Sequence, residues 1–425
     1  MVGALPDTIV ALSSGRLPAA IAVIRTSGPD ALAAAYAVAG KPPAPRRASL
    51  RNLRSADGGL IDRGLVLFFP GPDSATGQDI VEYQCHGGKA VVAALVAALV
   101  GQPGLRAAEA GEFTRRALAN GRIDLTQAEG LAELLEAESE AQRISALRRA
   151  EGGLRRQVEQ WRGALLELSA EAEVAIDYAD EEDGADTFDP ATRLAALIAE
   201  LDVLLGAPRV ERLRDGVRLV VAGPPNAGKS SLVNALAGEA RAIVTAIPGT
   251  TRDLVEVPLS IGGIPLTLVD TAGLRATGDV VEQLGVGLAE REIERADLLI
   301  WMGSVAEQPE HPHCLRILSK ADEHGDHSGH RLSVIDGEGL EALRDWIVSE
   351  AREIIPTAEQ PGLNERESNL LDECRSALSR ALILRDPVLI AEELRLARGA
   401  LDRVSGISGV EALLDALFGR FCLGK

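Results

Sequence analysis

The residues best placed to do chemistry form the run GPPNAGKSS at Gly223–Ser231. Gly223, Gly228, Lys229 and Ser230 have the spacing of a phosphate-binding Walker A loop. The apolar run Val217–Ala222 before it and the apolar helix from Leu232 after it supply the strand–loop–helix setting that such a loop requires. The chemistry follows from the residue types. Glycines let backbone N–H groups across Asn226, Ala227, Gly228, Lys229, Ser230 and Ser231 close around phosphate at a helix N-terminus. Lys229 then reaches the β/γ oxygens, and the Ser230 hydroxyl binds Mg²⁺.

The downstream motifs decide the base. Asp270-Thr271-Ala272-Gly273 closes the β-like run Ile264–Val269. There Asp270 reaches Mg²⁺ through water and Gly273 presents its N–H to a γ-phosphate. Thr251, inside TAIPGTTRD, caps the same ion from a switch loop that orders only with triphosphate bound. Thr245 and Thr250 of that run also count among the nucleotide-binding residues. Ser319-Lys320-Ala321-Asp322 follows the run Leu315–Leu318, and Asp322 can accept two hydrogen bonds from the guanine edge. Adenine offers no such paired donors, so GTP is expected over ATP. Two residues depart from the usual guanine motifs: Ser319 stands where asparagine is common, and Ser333-Val334 where Ser-Ala is. Loss of the amide removes a tie between the base loop and the phosphate loop, which costs affinity more than specificity.

Hydrolysis needs a group that orients water. The glutamine common two residues after Gly273 is replaced by Arg275, leaving Glu282, or a monovalent cation held by Asn226 and the first switch loop, as candidates. Five of the six histidines lie at 311–330, and His311-x-His313-Cys314 is a conceivable zinc donor set. Its flanks are irregular, so a surface loop is the default reading.

The elements that must hold these residues can be read from texture. Over 425 residues, 46 % hydrophobic and 25 % charged, the chain is globular and long enough for two or three domains. The longest apolar run, Ala90–Val100, is about half the roughly 20 residues a membrane span needs, and no leader-like segment opens the chain, so the expected compartment is the cytoplasm. Four scattered cysteines fit a reducing environment. A net charge of −19, from 63 acidic and 44 basic residues, repels phosphate backbones on average, so nucleic-acid contact requires a local basic patch or a partner. Only five of the basic residues are lysines, and three of these, Lys229, Lys320 and Lys425, fall in motifs.

Residues 1–121 read as an α+β domain of short strands (Thr8–Leu12, Ala20–Thr26, Gly64–Phe69, Asp79–Gln84) with one apolar helix. From Asp124 a helical period runs to about Asp177, opened by a capping box with Gln127 and weakened only at Gly152-Gly153. Residues 214–354 alternate β-like and helical runs, as a parallel α/β sheet does. Helices return over 355–425, so the α/β unit is expected to be inserted into a helical domain built from 122–213 and 355–425.

Taken together, GPPNAGKSS, TAIPGTTRD, DTAGLR and the terminal FCLGK resemble the bacterial tRNA modification GTPase family, the MnmE or TrmE type. The segments DTIVAL, IAVIRTSG, QCHGGK and GEFTRRALANGRIDLTQAE are similar to the same family, so the resemblance covers nearly the whole chain. It implies a multidomain α/β plus α protein: a Ras-like P-loop GTPase domain inserted into a helical domain, preceded by an α+β folate-binding, dimer-forming domain. It further implies a K⁺-stimulated GTPase whose G domains meet across a homodimer. Asn226, Thr245, Ile247 and Thr250 would surround K⁺, which takes the place of an arginine finger, and Glu282 would organise water. Pro248 departs from the small residue usual in that loop, fixing φ and removing a donor.

By the same resemblance a tetrahydrofolate derivative, in its 5-formyl or methylene form, would meet Arg25, Glu82, Arg122 and Lys425, with Arg122 where lysine is more familiar. Basic groups suit the folate carboxylates, and a carboxylate suits the pterin N–H edge. Cys422 is an additional candidate beside that site, although such a cysteine serves more often as a small buried hydrophobe. The implied activity is installation of a carboxymethylaminomethyl-type group at C5 of the tRNA wobble uridine, together with an FAD-containing MnmG-type protein in a heterotetramer and without a membrane. The alternative is a regulatory or ribosome-assembly GTPase without one-carbon chemistry, for which an attached basic RNA module is expected and is not visible.

Overall fold

The computed structural model describes the chain outside residues 1–6, 42, 178–187, 240, 243–254, 271–289, 320–329, 356–361, 408–413, 415–416, 420, 422–423 and 425. It divides into two compact units, Met1–Ala132 with Ser405–Lys425, and Glu133–Val404.

In the first unit β1 (Thr8–Leu12), β2 (Ala19–Ser27), β3 (Ser49–Arg54), β4 (Leu60–Phe69), β5 (Ile80–Gly87) and β6 (Leu105–Ala107) form one sheet in the order β3-β4-β5-β2-β1-β6. Side chains alternate across it, as the two-residue period of a strand requires. Val81, Tyr83 and Cys85 of β5 and Ala22 and Ile24 of β2 are buried against α1 (Ala31–Ala39) and α2 (Lys89–Val100). Arg25 and Glu82 therefore share the opposite face. Two helices follow, α3 (Glu112–Ala119) and α4 (Leu125–Glu136). The expected capping box opens α4: Asp124 Oδ1 accepts from Gln127 N at 2.9 Å, and Gln127 Oε1 accepts from Asp124 N at 3.2 Å. Leu125, Ala128 and Ala132 of α4 pack with Leu417, Phe418 and Phe421, tying the C-terminal segment into this unit.

The helical period from Asp124 is broken twice rather than once, giving α4, α5 (Glu140–Ala150) and α6 (Gly153–Asp177). The second break falls at the expected Gly152-Gly153. The first has its own cause, a Ser139/Gln142 capping box that starts a new helix. In the second unit α6 buries Leu154, Val158, Trp161, Leu165 and Leu168 at three- and four-residue spacing. This stripe packs on α7 (Ala191–Leu205) and on two later helices described below, and each fully buried leucine contributes about 1.5–3 kcal/mol.

After α8 (Glu211–Asp215) comes a seven-stranded sheet flanked by helices. Its strands are β7 (Val217–Ala222), β8 (Arg241–Ala242), β9 (Val255–Ile261), β10 (Ile264–Asp270), β11 (Leu298–Trp301), β12 (Cys314–Ser319) and β13 (His330–Leu332), in the order β13-β12-β11-β7-β10-β9-β8. β10, β7, β11, β12 and β13 run parallel, while β9 and β8 pair antiparallel at one side. Strand β7 is buried on both faces, with Leu219 and Val221 packing on α9 (Lys229–Glu239) and α10 (Leu340–Ile354), and Val220 and Ala222 on Leu299. Such a strand reads as a continuous apolar run. The chain then returns to the bundle as α11 (Glu365–Ile383) and α12 (Pro387–Val404).

Arg149 of α5 is 1 % exposed and donates to both carboxylate oxygens of the fully buried Glu367 on α11, at 2.9 and 3.0 Å. Removing one partner of such a pair strands a buried charge. Arg149→Ala is therefore expected to lower stability by about 3–5 kcal/mol, read from the midpoint of urea unfolding followed by helical circular dichroism. Arg143→Ala, on the exposed face of the same helix, leaves that midpoint unchanged.

Candidate functional site

The phosphate loop leaves the carboxyl end of β7 and runs into α9, and the carboxyl ends of β10, β12 and β13 lie around it. Ligands of open α/β sheets bind in the crevice at those ends. Gly223 has φ +148°, and a Cβ there would lie 2.9 Å from the Met302 backbone, so the loop needs glycine where it leaves the strand. Asn226 has φ +59°, the left-handed conformation that asparagine tolerates.

Lys229 is buried, and its ammonium donates to the carbonyls of Gly223 and Pro224 at 2.9 and 2.8 Å. Its charge thus stands inside the curl of the loop. Ser230 Oγ donates to Asp270 Oδ2 at 2.9 Å, bringing together two of the residues expected around Mg²⁺. Parallel pairing of Asp270 with Val221 sets that meeting, because it fixes the end of β10 beside the start of the loop. Ala227 packs on the sheet core, while Asn226 and Ser231 are exposed. Ser319 ends β12 opposite Leu332, which places its backbone next to Ser333. Ser333 is buried and its N–H donates to the Glu338 carbonyl at 3.0 Å. Thr245, Ile247, Pro248, Thr250, Thr251, Gly273, Arg275, Glu282, Lys320 and Asp322 lie outside the described residues.

The residues of His-x-His-Cys turn to separate partners. The His311 ring bonds the Ala296 carbonyl at 3.0 Å, and Cys314 Sγ accepts from Gln308 at 3.4 Å. Burial pushes the Cys314 thiol up, away from the thiolate a metal would need. His313 instead faces Glu350 and Glu353 of α10. Its Nδ1 and Glu350 Oε2 are 2.6 Å apart, a hydrogen bond that engages both side chains.

In the first unit Arg25 and Glu82 are cross-strand partners on β2 and β5. Arg25 Nε and Nη2 donate to Glu82 Oε1 at 3.0 and 2.6 Å, and the guanidinium sits 5.8 Å from the Phe113 ring centre. Phe113 lies in the family-like segment GEFTRRALANGRIDLTQAE, but nothing in the sequence places its ring beside Arg25. Arg122 lies beside Gly77, 3.7 Å from Asp73. Gly424 packs on Leu12 and Ser13 with φ +92°; a Cβ there would lie 2.3 Å from the Leu12 carbonyl. Ser13 Oγ donates to the Gly424 carbonyl at 2.9 Å, so the chain's last turn docks beside the strand pair that carries Arg25. Cys422 and Lys425 lie outside the described residues. On β4, burial raises the Asp62 carboxyl, and hydrogen bonds from the His86 backbone and ring outweigh that, holding it below the ordinary range.

Comparison with known proteins gives two family matches. Residues 125–422 match the MnmE helical domain, and residues 8–122 match the GTP-binding protein TrmE N-terminus. The tRNA modification GTPase MnmE of Novosphingobium aromaticivorans is 47 % identical over 437 residues, covering 99 % of this chain and 100 % of the relative. That of Rhizorhabdus wittichii is 51 % identical over 428 residues, covering 99 % and 97 %. Among solved structures, the G domain of the T. maritima FeoB iron transporter is 28 % identical and covers 32 % of this chain and 98 % of that one; its TM-score of 0.24 is too low to bear on function.

Lys229→Ala removes the buried cation that the loop curls around. Titration with a fluorescent GDP analogue is expected to show at least ~100-fold weaker binding than wild type.

Proposed function

Since this chain belongs to the MnmE family of tRNA modification GTPases, we propose that it hydrolyses GTP at the loop before Lys229 and that the cycle serves modification of the tRNA wobble uridine, position 34. The observation that carries the reading is the convergence of buried Lys229 with the Ser230–Asp270 pair at the carboxyl end of the sheet. GTP phosphates would replace the Gly223 and Pro224 carbonyls as acceptors for Lys229. A charge-assisted bond to phosphate is stronger than the neutral ones it displaces.

Ser230 Oγ and Asp270 Oδ2 are hard oxygen donors of the type Mg²⁺ takes, so the residues fit that ion. Ser230 would hold it with Thr251, Asp270 would act through water, and the ion would neutralise charge on the β and γ oxygens. Asn226, Thr245, Ile247 and Thr250 are assigned to K⁺, and Glu282 to orienting the attacking water. Asp322, with Lys320, Ser319 and Ser333, is assigned to the guanine.

The Arg25–Glu82 pair fits a reduced folate, because it offers a cation for a carboxylate and an acceptor for pterin N–H groups on one face of the sheet. We assign Arg25, Glu82, Arg122 and Lys425 to a tetrahydrofolate derivative that supplies the one-carbon unit, with Cys422 as an additional candidate. No dinucleotide fingerprint occurs in the sequence, so redox chemistry is assigned to an FAD-containing partner, with two copies of this chain and two of the partner around the tRNA. The chain is divided for these tasks into segments 1–121, 122–213, 214–354 and 355–425. Among the described residues no helix is long and apolar enough to cross a membrane.

Steady-state hydrolysis of GTP is expected to run at least ~10-fold faster in KCl than in NaCl, and Glu282→Gln to lower kcat without weakening GDP binding. Equal rates in the two salts remove the K⁺ assignment. Titration with 5-formyltetrahydrofolate is expected to saturate with the wild type and to lose at least ~10-fold in affinity with Arg25→Ala. Absence of binding removes the one-carbon role while leaving hydrolysis intact. Loss of wobble-uridine modification in a deletion strain, restored by wild type and not by Lys229→Ala, tests the reading as a whole.

A further inference from the structure

Helix α5 touches the sheet and both chain crossings between the sheet and the helical bundle. At its first turn Gln142 works in two directions. Its Oε1 accepts from Ser139 N and Glu138 N, each at 2.8 Å, and its Nε2 donates to the Leu213 carbonyl at 2.8 Å, on the linker that leads into β7. Ala141 packs on the sheet core, and its N–H donates to the Gly263 carbonyl at 3.3 Å. At the last turn Arg149 donates to the Gly362 carbonyl at 2.9 Å and to Glu367, on the linker that leaves the sheet and on α11. The two linkers also meet, Val210 N donating to the Leu363 carbonyl at 3.1 Å.

Gly263 is the tip of the β9–β10 hairpin, whose strands pair in register from Ile261–Ile264 to Val255–Asp270. The far end of that hairpin is Asp270, held by Ser230 at the nucleotide site, and β9 begins just after the TAIPGTTRD segment. β10 also pairs with β7 from Leu266 to Asp270, which stiffens the hairpin up to the two residues next to its tip. Seven residues at about 3.3 Å each put its tip roughly 20 Å from Asp270. The tip meets α5 through the backbone hydrogen bond from Ala141 to Gly263 and through Ala141 itself, which packs on the cluster that holds Ile261 and Ile264.

We propose that the β9–β10 hairpin is a lever and α5 the strut it acts on, so that the state of the nucleotide site is passed to the helical bundle through Gly263, Ala141 and the positioning residue Gln142. A shift at the Asp270 end emerges at the tip because the registered strands cannot absorb it. There it alters the first turn of α5 and, through Arg149, the seat of α11. This rests on the reading that GTP is hydrolysed at the Lys229 loop, and it adds a physical route to both linkers.

The test is hydrogen exchange by mass spectrometry on the full chain in K⁺ and Mg²⁺, nucleotide-free, with GDP, and with GDP and aluminium fluoride. The peptide over residues 138–150 is expected to change its exchange rate by at least ~3-fold between the GDP and aluminium fluoride states, while the middle of α6 stays constant. Gln142→Ala is expected to abolish that change and to cut tRNA modification in a deletion strain at least ~10-fold, with GTP hydrolysis kept within ~2-fold of wild type. Equal exchange of α5 in all three states overturns the proposal, as does a Gln142→Ala protein that keeps the nucleotide-dependent change. The wild-type comparison needs no variant, so instability of Gln142→Ala leaves the proposal open to refutation. Wild type that hydrolyses GTP with α5 silent defeats this proposal alone, whereas wild type that hydrolyses no GTP defeats the function it rests on.

Discussion

A cation buried at the start of a helix, in a chain carrying a net charge of −19, sets the terms for the sheet-bearing unit. Lys229 is 7 % exposed, and its ammonium donates to the carbonyls of Gly223 and Pro224 within the loop, so a full positive charge is held in the crevice. Lys229 also begins α9, and the first N–H groups of any helix find no acceptor within it. Both features favour an anion in the crevice, and the oxygens of Ser230 and Asp270 beside it suit a hard divalent ion. A polyphosphate with its metal meets all of these demands at once.

The surrounding structure can be understood as what holds that crevice in shape. β7 is buried on both faces, so the loop leaves it from a fixed point, and the pairing of β10 with β7 brings Asp270 to Ser230. The buried Arg149–Glu367 pair and the Gln142 cap fasten the linkers on either side of the sheet. In the first unit the pairing of β2 with β5 does a similar service, setting Arg25 against Glu82 on the face away from the apolar core.

How much of this could be read in advance varied with the range of the interaction. The phosphate loop, β7 and the run ending at Asp270 were legible because local signals, glycine spacing and apolar strands, coincide with the structural demand. Arg25 and Glu82 stand 57 residues apart and have no local signature. Only the strand register makes them neighbours, so they were reached through family resemblance. Three features are set by residues whose local pattern points elsewhere. The break before α5 follows from Ser139 and Gln142, a capping pair hidden inside a strong helical period. The His313 ring looks to Glu350 on a helix 37 residues away, while its backbone N–H donates to the His311 ring. Gly424 is required by the approach of Leu12, a contact across almost the whole chain.

Competition binding on the purified full-length chain tests the central claim most directly, with a fluorescent GDP analogue displaced in turn by GTP and by ATP in the presence of Mg²⁺. The account predicts displacement by GTP at least ~100-fold more effective than by ATP. Equal displacement by both nucleotides, or failure of the folded protein to take up the analogue at all, would contradict it.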